Sequence, residues 1–101
     1  MGVNIRRDDA GIEISPTGNL DTKGSGDLQK AMDEIFKGEA NVRIVINLSA
    51  VPFLSSAGLR VLLLAMKKLN NAGGSMELVN ANDSIKEVFN MTGFSSILKI
   101  M

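Results

Sequence analysis

A short, β-branched, largely apolar run, VRIVINL (42–48), and a second run of strand character, MELVNA (76–81), flank an amphipathic stretch from Ala57 to Ala72, and this arrangement restricts the chain to few folds. The middle stretch places Leu59, Leu62, Leu63, Met66 and Leu69 on one side, widened by Val61, Leu64 and Ala65, with Lys67, Lys68 and Asn70 elsewhere. This is the pattern of a helix seated deeply against a sheet. Gly73 and Gly74 end it. A strand, a helix and a strand in succession form a β-α-β unit, so the two strands should be parallel with a right-handed crossover. VRIVINL reads as a central strand covered on both faces.

The flanking segments extend the same plan. VNIRR (3–7) and GIEIS (11–15) alternate around DDAG as a hairpin, and Pro16 marks the second strand as an edge or ending strand. After the polar, glycine-rich PTGNLDTKGSG, the positions of Leu28, Ala31, Met32, Ile35 and Phe36 predict an amphipathic helix, with Ser25 as N-cap and Gly38 as stop. Ser84 and Glu87 have the spacing of a capping box before a third helix, with Ile85, Val88, Phe89 and Thr92 facing inward and Gly93 at its end. ILKI (97–100) reads as a last short strand. The 101 residues carry no repeat and no linker, so one domain is expected over 1–101.

Composition excludes several kinds of chemistry. Eleven basic and eleven acidic residues leave no net charge to favour nucleic acid or an anionic membrane surface. The chain has no cysteine, hence no disulfide framework or thiol nucleophile, and no histidine, hence no Ser-His-Asp triad. Tryptophan and tyrosine are absent, and the four phenylalanines are too scattered to stack bases. TGNLDTKGSG and NNAGGS fit neither GxxxxGK[ST] nor GxGxxG, and the scattered carboxylates repeat no calcium loop. No cofactor or metal site is expected, and no enzyme activity. The charged, turn-rich N-terminus lacks a signal-peptide core and no run is long enough to span a membrane, so a cytoplasmic location without membrane insertion is expected.

Chemistry concentrates at the start of the second helix, FLSSAGLRVLL (53–63). In open α/β sheets, sites gather beyond the carboxyl ends of the strands. Pro52 should take the backbone out of the sheet, leaving the Ser55 and Ser56 hydroxyls accessible. Ser56 as N-cap would stabilise the helix by about 1 kcal/mol, whereas as a phosphoryl acceptor it would carry its phosphate at free amides and a positive dipole end. Gly58 fits both readings, and its helix cost invites a reason such as close approach by a partner.

INLSAVPFLSSAGLRVLL resembles the signature of STAS domains of the anti-sigma-factor antagonist family, in which Asp/Asn-Leu-Ser leads through an apolar turn to Asp-Ser-Ser/Ala-Gly-Leu. TGNLD (17–21) resembles the family's Thr/Ser-Gly-x-Leu-Asp, GGSMELVNA its Gly-Gly strand, and IKEVFNMTGF its third helix. The resemblance implies an α/β fold, a STAS-like mixed β-sheet of about four to five strands with α-helices packed mainly on one face. It implies a non-enzymatic regulator, an anti-sigma-factor antagonist that binds an anti-sigma factor acting as a serine kinase. Phosphorylation switches such a regulator off, with ATP supplied by the kinase, and a phosphatase restores it. The acceptor falls on Ser56. Ser55, standing where the family usually has aspartate, becomes a second candidate. Asp21, Thr22, Phe53, Leu54, Ser55, Ala57, Gly58 and Leu59 are the implied partner-binding residues, with Phe53, Leu54 and Leu59 as the apolar docking contacts. Relatives usually continue beyond ILKIM into a final helix. The alternative role is a constitutive STAS subunit of a lipid-transport ATPase or a stress-signalling assembly.

Overall fold

The fold is taken from a computed structural model that describes residues 2–38, 41–93 and 99–100. Its first turn follows from local chemistry. Asp8 Oδ1 accepts the amides of Ala10 at 2.8 Å and Gly11 at 3.1 Å, closing an Asx-type turn between β1 (Gly2–Asp8) and β2 (Gly11–Thr17). Gly11 has φ +138°, and a Cβ there would lie 2.3 Å from the Arg43 carbonyl oxygen, so the turn requires glycine.

The remaining elements are α1 (Thr22–Gly38), β3 (Arg43–Asn47), α2 (Ser56–Asn71), β4 (Ser75–Val79), α3 (Asp83–Thr92) and β5 (Lys99–Ile100). The sheet order is β1-β2-β3-β4-β5, with β1 antiparallel to β2 and every other neighbouring pair parallel. β3 is central, and β3-α2-β4 is the β-α-β unit expected from the pattern. Ile12 pairs with Ile44, which pairs with Met76; Ile14 pairs with Ile46, which pairs with Leu78. Register thus aligns the apolar rows on one face, where Leu28, Met32 and Ile35 of α1, Leu62 and Leu69 of α2, and Ile85 and Phe89 of α3 join them in one core.

Several expectations need correcting. Of the two readings of Pro16, ending strand holds and edge strand does not: β2 lies between β1 and β3, and Pro16 stands one residue before the end of β2, past Ile12–Ile14 where β2 pairs with β3. β3 is not covered on both faces, since Val45 and Asn47 are only half-buried. The second face carries cross-strand ion pairs instead. Arg6 pairs with Glu13 at 3.5 Å, and Arg43 grips the carboxylate of Glu77 with contacts of 3.0–3.2 Å, leaving Glu77 8 % exposed.

The caps also differ from the expectation. Asp21 rather than Ser25 caps α1, its Oδ1 accepting the Gly24 amide at 2.8 Å, and Ser25 lies buried inside the helix. Asn82 rather than Ser84 caps α3, accepting the Ile85 amide at 2.8 Å. Thr92 is exposed, returning its hydroxyl to the Val88 carbonyl at 2.8 Å. α2 does end at the glycines: Gly74 donates to Leu69 O at 2.7 Å and Gly73 to Asn70 O at 3.3 Å, the paired closure of a Schellman motif. Within ILKI, Lys99 and Ile100 pair with β4, while residues 97 and 98 lie outside the described residues.

Candidate functional site

Three connections meet beyond the carboxyl ends of the parallel strands: residues 18–21 into α1, 48–55 into α2, and 80–82 into α3. They are tied together by their backbones. Gly18 donates to Ala50 O, Leu20 to Phe53 O and Ser55 to Leu20 O, each at 2.9 Å, so the first two connections run side by side with Leu20 and Leu54 in parallel bridge register. Asn82 Nδ2 donates to Pro52 O at 3.2 Å, joining the third connection to the second, and Asn80 Nδ2 donates to Asn47 Oδ1 at 3.2 Å, tying it to the end of β3. Leu20, Leu48, Val51 and Leu54 are buried beneath. Connections with their own apolar core and backbone ladder hold a surface in fixed shape.

This framework decides which serine does what. Ser55, with φ −87° and ψ 172°, is the N-cap of α2: its Oγ accepts the Gly58 amide at 3.2 Å and donates to Leu20 O at 2.6 Å. Ser56, expected as the cap, is instead the first residue of the helix. It is exposed, and its hydroxyl has no hydrogen-bond partner among the described residues. Two adjacent serines are therefore divided into an anchored hydroxyl and an unengaged one.

Gly58 is buried, and its lack of a side chain is explained within the chain. A Cβ would meet Leu54 Cδ1 at 2.7 Å, Leu20 O at 2.8 Å and Leu20 Cβ at 2.9 Å. The close approach comes from the neighbouring connection. Leu54 and Leu59, only 4 % and 6 % exposed, belong to the core and support the site from below rather than forming a docking face. Phe53 is different: 53 % of it is exposed, two residues before the cap. Asp21 and Thr22 are exposed, Ala57 is half-buried, and Asp21 has the added duty of capping α1.

Between the first turns of α1 and α2 runs an open groove of about 320 Å³, lined by Thr22, Ser25, Gly26 and Gln29 on one side and Ser56, Ala57, Arg60 and Val61 on the other. Arg60, Gln29 and Ser25 were not among the residues expected from sequence, although the four-residue spacing from Ser56 to Arg60 already places both on one helix face. Among the described residues no group of three His, Cys, Asp or Glu side chains could hold a metal ion, and no helix is long and apolar enough to cross a membrane.

The profile of the STAS domain matches residues 3–101. This chain belongs to the STAS domain family. Among relatives of this STAS domain, BtrV of Bordetella bronchiseptica is 39 % identical over 67 residues, which make up 66 % of this chain and 56 % of BtrV. The anti-sigma-B factor antagonist of Bacillus subtilis is 25 % identical over 100 residues, 99 % of this chain and 90 % of that protein. A crystal structure from Thermotoga maritima superposes with a TM-score of 0.88 at 26 % identity, covering 97 % of this chain and 84 % of the other. The Bacillus cell fate determinant SpoIIAA in its phosphorylated form superposes with a TM-score of 0.75 at 20 % identity, covering 99 % and 91 %. The mixed sheet with its helices is thus the STAS fold.

Proposed function

We propose that this STAS domain is an anti-sigma factor antagonist whose docking to an anti-sigma factor is switched by phosphorylation of Ser56. The observation that carries this reading is the contrast between Ser55, engaged as both donor and acceptor, and Ser56, exposed at the first position of α2 with an unengaged hydroxyl. The name of the Bacillus subtilis relative supports the class of partner. In the proposed step Ser56 Oγ bonds to the γ-phosphorus of ATP held by a partner kinase, the bond to the ADP oxygen breaks, and the hydroxyl proton passes to a base of the kinase. Hydrolysis by a phosphatase restores the hydroxyl.

The charge acts at the docking face. Phosphoserine adds close to two negative charges beside exposed Phe53, Thr22 and half-buried Ala57, and a partner covering that surface must desolvate them. The fold itself tolerates the group, because first-turn amides and the helix dipole favour an anion there.

The test is affinity capture from native lysate with wild-type, Ser56→Ala and Ser56→Asp baits, followed by incubation of any captured kinase with labelled ATP and each bait. Support would be one protein with an ATP-binding serine kinase domain that wild type and the alanine variant retain, that the aspartate variant loses, and that labels wild type alone. Retention of the same transporter or scaffold subunits by all three baits would overturn the reading in favour of a constitutive adaptor.

A further inference from the structure

We propose that Arg60 receives the phosphate of phosphorylated Ser56 within the groove between α1 and α2, an internal clamp that deepens, and rests on, the reading of Ser56 as acceptor. Ser56 and Arg60 are four residues apart on α2, the spacing at which helical side chains meet, and both line this groove. Arg60 is exposed and makes no ion pair among the described residues, so its guanidinium is uncommitted. Among the described residues it is also the one charged residue lining the groove; Asp21, Lys23 and Asp27, at the N-terminal end of α1, do not line it. Among the described residues, the walls of the groove thus bring no carboxylate against the guanidinium.

A second observation comes from the opposite wall. Ser25 lines the same groove, is 2 % exposed, and its hydroxyl has no hydrogen-bond partner among the described residues. Buried hydroxyls are rarely left unpaired, and a phosphate oxygen entering the groove offers this one an acceptor after a change of rotamer. The arrangement therefore combines a planar bidentate donor, a hydroxyl donor and the first-turn amides of α2 around one anion.

The test uses the full chain with phosphoserine incorporated genetically at position 56, so it depends on no kinase. Phosphorus NMR across pH follows the second ionisation of the phosphate in wild type and in Arg60→Gln. An adjacent guanidinium favours the dianion, so the wild-type midpoint should lie about half a unit below that of the variant, with Arg60→Lys in between. The helix dipole acts equally in all three, and the difference isolates residue 60. Coincident midpoints for wild type and Arg60→Gln would overturn the clamp. Failure of any kinase to modify Ser56 would count against the acceptor reading while leaving this measurement to stand or fall alone.

Discussion

The Ser55 hydroxyl donates to the Leu20 carbonyl oxygen at 2.6 Å, joining the entry of α2 to a connection thirty-five residues earlier in the chain. Ser55 Oγ in turn accepts the Gly58 amide, so a single side chain caps a helix and fastens two connections. Ser55→Ala removes both bonds, though the Ser55 amide still reaches Leu20 O. The loss should be about 1–2 kcal/mol, the sum of a cap and a modest hydrogen bond, read as a lower urea midpoint at unchanged slope. A change below about 0.5 kcal/mol would show that the backbone ladder and the buried Leu20 and Leu54 hold the connections without this hydroxyl.

Gly58→Ala sets helix propensity against sterics. Alanine gains roughly 1 kcal/mol in propensity. Its Cβ, however, would stand 2.7–2.9 Å from Leu54 Cδ1, Leu20 O and Leu20 Cβ, and two of these belong to a connection held by backbone hydrogen bonds. Overpacking of this kind costs about 1–3 kcal/mol, so the variant should be destabilised despite its better helix former. Gly26→Ala, in α1 with nothing within 4 Å of the added carbon, is the control and should gain about 0.5–1 kcal/mol in the same denaturation assay.

The contrast shows what could be read from the residues alone. The β3-α2-β4 unit was legible because Ile44, Ile46, Leu62, Leu69, Met76 and Leu78 repeat with the periods of strand and helix, and those periods are local. The caps were not. Ser25 and Ser84 have the right chemistry, but a cap is chosen by where the chain turns, and Asp21 and Asn82 stand at those turns because Leu20 pairs with Leu54 and Asn82 reaches Pro52. The same non-local pairing accompanies the burial of Leu54, which the resemblance presents as a docking residue, and it places the cap on Ser55 rather than Ser56. The Arg43–Glu77 pair escaped notice for a similar reason: its partners meet only once β3 and β4 are in register.

Ser25 offers a further check, because its buried hydroxyl lacks a partner among the described residues while it occupies a helical position. Ser25→Ala removes the unpaired polar group and installs a better helix former, so stability should rise by about 0.5–1.5 kcal/mol in the unphosphorylated chain. A fall instead would mean that the hydroxyl finds a partner in solution, such as an ordered water.

Ser56 should respond quite differently from its neighbour. Its hydroxyl makes no hydrogen bond among the described residues, so Ser56→Ala should leave stability within about 0.5 kcal/mol of wild type. Ser56→Asp places a carboxylate at the first position of α2, where the dipole favours it by about 0.3–1 kcal/mol, and four residues before Arg60, a pairing worth a few tenths of a kcal/mol more. The aspartate variant should therefore melt at or slightly above the wild-type temperature. If it also loses its partner, that loss cannot be assigned to unfolding, and the negative charge itself is the signal. If it melts several degrees lower, residue 56 instead belongs to the packing of the groove, and weakened binding by this variant would carry no information about phosphorylation.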